Sequence, residues 1–188
     1  MAKMTTPVGT LSFPTLFKPR AFKGEPEEKA EYSCVLIFDE KAQQTDAFRA
    51  MRAAAIEAGK AEFGNDFNID KLNDRGAPFK DSSKSDYAGY DDGCVHIRAK
   101  RKRDKGKPGV IDRNKNDILD AGAVYPGMKA RAIVSCYAYD YMGKGIAWGL
   151  EHVQVAGDGP RLDGSKPADQ SFEDDLDASY MEAEDSLV

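Results

Sequence analysis

The sequence predicts a mainly β protein: a small β-barrel with one added amphipathic helix, followed by an acidic C-terminal tail. Three observations indicate this fold class. Several short segments alternate apolar and polar residues and are separated by turn-forming residues. Only one segment has the spacing of an amphipathic helix. Strands and helices do not alternate regularly along the chain, as they would in a βαβ fold. A body of this size is one ordinary domain. We therefore predict one domain over residues 1–160 and a flexible tail over residues 161–188.

The first half of the body contains two strand candidates and the helix. Residues 9–20 are β-prone but contain two prolines, which is typical of an edge strand or of a strand that leads into a loop. Residues 31–40 have a dense apolar centre, as in a central strand covered on both faces. In residues 45–63, apolar side chains recur every three or four positions, and Gly64 supplies a stop, which predicts the helix.

The second half begins with a polar stretch, residues 64–93, that lacks a sustained period and reads as a long loop. Residues 95–102 then alternate, which predicts a strand with a cationic outer face. That face carries His96, Arg98, Lys100 and Lys102. The opposite, inward row is Val95, Ile97 and Ala99, and it continues into Arg101 and Arg103.

Two further strands follow, and we expect a glycine-containing hairpin turn to join them. Residues 128–141 again have a period of two, and their tyrosine row shares a face with Arg131. The row consists of Tyr137, Tyr139 and Tyr141. Residues 146–155 form the last predicted strand, with Trp148 on its core face.

Charge is segregated along the chain. The net charge is −5, but residues 167–188 contribute −8, so residues 1–166 carry +3. Residues 98–113 hold eight Lys or Arg against two Asp. An acidic tail on a basic body favours a polyanionic ligand that the tail could compete with.

A cationic groove lined by aromatic platforms is the surface that binds single-stranded nucleic acid without reading its sequence. The basic strand, its turn and the tyrosine row supply both components. The candidate nucleic-acid-binding residues are Arg98, Lys100, Arg101, Lys102, Arg103, Lys105, Lys107, Arg113, Arg131, Tyr137, Tyr139 and Tyr141.

The tail is the candidate partner-binding segment, because apolar residues are spaced among its acids. Its candidate contacts are Phe172, Glu173, Asp174, Asp175, Asp177, Glu182, Glu184, Asp185, Leu187 and Val188. A solubilising role is the alternative for this segment.

Catalytic motifs are not recognisable. The sequence has neither a nucleophile elbow nor a P-loop, and its two histidines lack metalloenzyme spacing. The residues from Asp112 onward begin like a calcium-binding loop but do not complete its pattern. Asp117 and Ala123 occupy the positions at which such a loop needs Gly and Glu. We predict no enzyme, cofactor or metal. A two-metal nuclease or resolvase is the alternative, with Asp81, Asp86, Asp91 and Asp92 as its candidate ligands.

Three widely spaced cysteines, Cys34, Cys94 and Cys136, are predicted to be buried free thiols. No signal-like N-terminal run and no stretch of 18 apolar residues is present, so we expect no membrane association.

Residues 77–90 ("APFKDSSKSDYAGY"), 108–112 ("PGVID"), 124–155 ("VYPGMKARAIVSCYAYDYMGKGIAWGLEHVQV") and 157–164 ("GDGPRLDG") resemble bacteriophage single-stranded DNA-binding proteins with an OB-fold. The resemblance implies a five-stranded OB-fold-like barrel and sequence-independent binding of single strands in DNA replication and recombination. It also implies an acidic tail that regulates DNA access and recruits phage or host replication proteins, in the cytoplasm of the infected bacterium.

Carried over by position, the groove would use Arg98, Lys100 and Lys102 with the three tyrosines. Two departures are the tail ending "DSLV", which is not aromatic, and the helix preceding the basic strand. Weaker binding of duplex DNA or RNA, a homodimer and a strand-annealing recombination activity stay open.

Overall fold

The structure is a computed structural model that describes residues 2–165. The strands are β1 Lys3–Thr5, β2 Gly9–Arg20, β3 Glu31–Phe38, β4 Lys80–Asp81, β5 Val95–Lys102, β6 Gly109–Ile111, β7 Lys129–Asp140 and β8 Lys144–Gly157. The helices are α1 Glu40–Gln43 and α2 Asp46–Phe63, and short 3-10 turns lie in the connections. The candidate tail contacts from Phe172 to Val188 lie outside the described residues.

Five strands close into a ring. β2 pairs with β3, β3 with β5, β5 with β8, and β8 with β7, and β7 returns to β2 at Gly9 and Thr10. Only the β5–β8 pairing within this ring is parallel. β1, β4 and β6 add to β7, β5 and β8. The predicted mainly β fold with one longer helix is confirmed.

The interior of the ring is apolar and buried from solvent. Leu36, Ile97 and Val134 are fully buried there. Trp148 is buried as predicted, and its indole Nε1 donates a hydrogen bond to the Pro78 carbonyl at 2.8 Å. A buried indole needs such a partner, so the segment around Pro78 is fixed against β8.

The helix has the bounds that its sequence pattern indicates. The Thr45 hydroxyl caps it by accepting a hydrogen bond from the Phe48 amide, and Gly64 ends it. Its buried face, with Phe48, Met51 and Ala55, packs against β7 and β8. The helix therefore covers the side of the ring formed by these two strands.

Two expectations need correction. β2 is a member of the ring, although only its first two residues pair with β7. Residues 64–93 contain, besides loops, β4 and two 3-10 turns, and β4 extends the sheet beside β5.

Two of the cysteines, Cys34 and Cys136, are buried, and burial raises the pKa of each thiol to about 12. Cys94 is only half-buried, against the prediction. No helix within residues 2–165 is long and apolar enough to cross a membrane.

Candidate nucleic-acid interface

A groove of about 750 Å³ lies on the outer face of β2, β3 and β5. The loop that joins β2 to β3 forms one wall, with Phe22 and Lys23, and the loop after β4 forms another, with Tyr87 and Tyr90. In OB-folds the face of the second and third barrel strands and the loop between the first two strands bind oligonucleotides. β3 and β5 are the second and third strands of this ring in chain order.

Buried and exposed side chains alternate along β5, and the exposed ones form the floor of the groove. Ile97 and Ala99 are fully buried, whereas Arg98 and Lys100 are exposed. In the register, Arg98 faces Val35 of β3 and Lys100 faces Ser33. The strand therefore presents its cations outward over a small, weakly polar surface, as the sequence pattern predicts.

The lining is strongly cationic. Six Lys or Arg residues surround the groove against two carboxylates, a local net charge of +4: Arg20, Lys23, Lys29, Lys80, Arg98 and Lys100 against Glu25 and Glu31. Glu31 pairs with Lys100 at 3.1 Å, and Glu25 lies 4.0 Å from Lys29. This positive excess is suited to the phosphates of a nucleic acid.

Aromatic rings form one side of the groove. Phe13 and Tyr87 meet edge-on with centroids 5.0 Å apart, and 52% and 61% of their surfaces are exposed. Behind them Tyr90 is buried, donates its hydroxyl to Ser12 Oγ at 3.2 Å and packs edge-on against His96. Tyr90 thus supports two exposed rings that can stack on bases.

A strained bulge in β2 turns Phe13 into the groove. The β2–β3 register shifts between Ser12 and Thr15, and Phe13 has a φ of 44°. For an L residue other than glycine this left-handed backbone costs about 1–2 kcal/mol. Backbone strain of this kind is concentrated at functional sites.

Three cations meet where β4 joins β5. Burial lowers the pKa of Lys80, and the charges of Arg75 and Arg98 lower it further, although Asp74 opposes them. Lys80 Nζ donates to the Asp74 carbonyl at 2.8 Å and to the Arg75 carbonyl at 3.4 Å. Lys80 and Arg98 both line the groove, so we regard this pair as a candidate phosphate position.

The predicted tyrosine row continues the outer face beyond β5. Lys100 pairs in register with Gly149 of β8, and a Cβ at position 149 would lie 3.9 Å from the Tyr137 ring. Burial raises the pKa of Tyr137, and the charge of Glu31, which pairs with Lys100, raises it further. Tyr137 therefore lies beside the cationic row, on the side of β5 away from Phe13.

The rest of the row runs along β7 to the hairpin tip. Tyr139 lies over Gly145, where a Cβ would collide with its ring, and donates its hydroxyl to the Arg75 carbonyl at 3.5 Å. Tyr141 is 71% exposed at the tip of the β7–β8 hairpin. The structure thus places Tyr139 at Arg75 and Tyr137 beside the β5 cations, and it leaves Tyr141 at the hairpin tip.

The basic hairpin after β5 lies beyond the groove lining. Arg101 Nε and Nη2 donate to the carbonyls of Gly106 and Lys105, each at 2.8 Å, and Nη1 lies 3.2 Å from Glu151. This side chain is largely buried and holds the hairpin together. The other candidates on the hairpin, Lys102, Arg103, Lys105 and Lys107, are exposed.

Two further candidates, Arg113 and Arg131, lie away from the groove. Arg131 Nε on β7 donates to Gln154 Oε1 at 2.9 Å, and Gln154 Nε2 donates to the carbonyl of Asp112, the residue before Arg113 in the turn after β6. Arg131 precedes Tyr137 by six positions, roughly 20 Å along an extended strand.

Two of the acidic candidates, Asp112 and Asp81, stabilise local turns. Asp112 accepts hydrogen bonds from the amides of Asn114 and Asn116, and Asp81 accepts from the amide and hydroxyl of Ser83. Between residues 2 and 165, no cluster of three His, Cys, Asp or Glu side chains is arranged to hold a metal.

Sequence reasoning missed Lys80 and the aromatic wall of the groove, which consists of Phe13, Phe22 and Tyr87. Phe13, Phe22 and Tyr87 lie in three segments without a common period, and only the tertiary fold brings them to one groove. A local signal was available: Phe22 is flanked by cations in "RAFKG", and Tyr87 stands in a polar, glycine-containing loop.

Comparisons with known proteins agree with this fold. Residues 2–187 match the family model described as "Enterobacter phage Enc34, ssDNA-binding protein". A putative protein p50 of Acyrthosiphon pisum secondary endosymbiont phage 1 is 29% identical over 185 residues, which are 95% of each chain.

Solved structures of phage proteins share the fold. The single-stranded DNA-binding protein of bacteriophage Enc34 superimposes with a TM-score of 0.68 at 16% identity, over 96% of this chain and 89% of that one. The same protein in complex with single-stranded DNA gives 0.69 at 17% identity, over 85% and 89%. Bacteriophage T7 gp2.5, a single-stranded DNA-binding protein, gives 0.61 at 16% identity, over 89% and 98%.

The matching family and these solved structures are all single-stranded DNA-binding proteins. The family match extends over nearly the whole chain. The predicted resemblance is therefore confirmed: the chain belongs to the family of the phage Enc34 single-stranded DNA-binding protein.

Proposed function

We propose that this chain binds single-stranded DNA without sequence preference in the groove on β2, β3 and β5. The observation that carries the proposal is a row of outward cations on β5 with exposed aromatic rings on both sides of it. Phe13 and Tyr87 lie on one side, and Tyr137 lies on the other. The cations can bind the phosphates of a DNA strand, and the aromatic rings can stack on its bases.

In this arrangement the sugar-phosphate backbone of the DNA strand lies along Lys80, Arg98 and Lys100, while its bases stack on the exposed faces of Phe13 and Tyr87. Every base has a π-face, so stacking does not select a sequence. Phe22 and Lys23, on the loop between β2 and β3, add a ring and a charge at the rim. A duplex hides its base faces, so we expect it to bind more weakly.

The biological role follows from this activity. A protein that covers single strands would protect them during phage DNA replication and recombination in the cytoplasm of the infected host. We include in the proposal that the acidic segment after residue 166 competes with DNA for the groove and contacts replication proteins. Its support is charge complementarity, −8 over residues 167–188 against +4 around the groove.

Fluorescence anisotropy with labelled oligonucleotides of one length tests the proposal. The full chain should bind single-stranded DNA of different sequences with similar affinity, and should bind duplex DNA and RNA more weakly. Duplex binding as tight as single-strand binding would overturn it. Recovering the oligonucleotides intact after incubation with Mg²⁺ or Mn²⁺ separates this function from a nuclease.

A further inference from the structure

The segment after β8, residues 158–165, packs against the loop that carries Tyr87 and bonds to the turn before β7, which in turn bonds to β2. We call these residues the strap. We infer that the strap positions Phe13 and Tyr87 for stacking, so that Leu162, which packs against Tyr90 and Gly89, is a positioning residue for DNA binding. This inference rests on the proposed function.

The first connection runs through Leu162. Its side chain packs against the small cluster of Val35, Ile37 and Tyr90 on the outer face of β3. It also lies against Gly89, where a Cβ would be 2.9 Å from a Leu162 methyl. Leu162 thus packs against the loop that carries Tyr87 and Tyr90, in addition to the contacts that Tyr90 makes with Ser12 and His96.

The second connection runs through the turn before β7. Leu162 donates its amide to the Pro126 carbonyl at 2.9 Å, and Gly127 donates its amide to the Leu11 carbonyl at 2.7 Å. Leu11 lies two residues before Phe13 on β2. The strap is therefore tied to the strand just before the strained bulge.

The strap is itself well anchored. The Arg161 guanidinium lies over the Tyr125 ring at 4.4 Å, and the Tyr125 hydroxyl donates to the Gly159 carbonyl at 3.2 Å. Asp163 accepts from Arg161 at 3.1 Å and from the Ser165 amide at 3.0 Å. These contacts hold the backbone of the strap on both sides of Leu162.

The test substitutes Leu162→Ala in the full chain and measures binding to a dT oligonucleotide and to an abasic strand of the same length. Loss of support for a stacking platform should weaken dT binding by about threefold to tenfold, a part of the usual value of one stacked base. Binding to the abasic strand, and the salt dependence of binding, should stay unchanged, because the phosphate contacts remain.

Leu162→Val, which removes one methylene, is the second variant and should show a smaller loss, which keeps the test valid if the alanine variant does not fold. Leu119→Ala is the matched control, since Leu119 is 79% exposed and does not line the groove. Equal losses on both strands, or no loss with either variant, would overturn the inference. If the unsubstituted chain fails to bind dT, the proposed function fails instead.

Discussion

Phe13 and Tyr87, from a strand and a distant loop, meet edge-on with their ring centroids 5.0 Å apart, and each leaves more than half of its surface exposed. Exposed aromatic pairs are unusual on a surface that has no ligand, because burial of their apolar area would be favourable. Here they border a row of cations, and this relationship leads to the following expectations.

Tyr87→Ala should weaken binding of single-stranded DNA by about 1–3 kcal/mol, or about 5-fold to 160-fold, because one stacking platform is lost. The melting temperature should change little, since the ring is 61% exposed. Tyr87→Phe keeps the ring and should bind like the unsubstituted chain. An unchanged affinity in the alanine variant would remove Tyr87 from the binding surface.

Phe13→Ala and Phe13→Gly should both weaken DNA binding, yet they should differ in stability. Alanine keeps the unfavourable left-handed backbone at φ 44°, whereas glycine adopts it without strain. The glycine variant should therefore be more stable to unfolding than the alanine variant by about 1 kcal/mol. Thermal unfolding measures this difference, and a more stable alanine variant would contradict the strained bulge.

The salt dependence of binding measures the phosphate contacts. If three or four phosphates are neutralised, log affinity should fall against log salt with a slope of roughly −2 to −3. Arg98→Ala should make the slope shallower by about 0.7, the value of one contact on a single strand. Arg131→Ala, whose guanidinium bonds to Gln154, is the control and should leave the slope unchanged.

Stability should depend on pH through His96. Burial lowers the pKa of this imidazole and the charge of Lys80 lowers it further, although Asp81 raises it. The unfolded chain therefore takes up the proton more readily, and stability is lost as the pH falls through 6.5 toward the lower folded value.

His96→Gln should accordingly flatten the fall of the melting temperature between about pH 7.5 and about pH 5.5. His152→Gln, at an exposed histidine of β8, is the control. An undiminished pH dependence in the His96 variant would contradict the assignment.

Arg101→Met should destabilise the chain by about 2–4 kcal/mol, because the guanidinium holds two hairpin carbonyls and pairs with Glu151. The exposed neighbour Arg103→Met should change stability little. Below the melting temperature, the Arg101 variant should bind DNA normally. A selective loss of affinity, measured on folded protein, would instead make Arg101 a direct contact.

The five strands of the ring and the helix α2 were predictable because their patterns are local, whereas the short strands β1, β4 and β6 were not predicted. The alternation of β5 determines that Arg98 and Lys100 point outward, and the spacing from Phe48 to Gly59 gives the buried face of α2. The tyrosine row was placed on the correct strand for the same reason.

The aromatic wall was not predictable, because it depends on tertiary structure. A bulge reorients Phe13, a loop folded over β3 supplies Tyr87, and Lys80 comes from a two-residue strand without a period. The roles of the cations also depend on partners distant in sequence. Arg101 and Arg98 lie in the same basic run, yet one holds a hairpin and the other lines the groove.

Photo-crosslinking to an oligonucleotide that carries 5-iododeoxyuridine, followed by peptide mapping, tests the central claim most directly. If the groove binds the strand, crosslinks should form at the exposed rings that border it, Phe13, Phe22, Tyr87 and Tyr137. Crosslinks confined to the turn at residues 112–116 or to the exposed face of α2 would contradict this assignment.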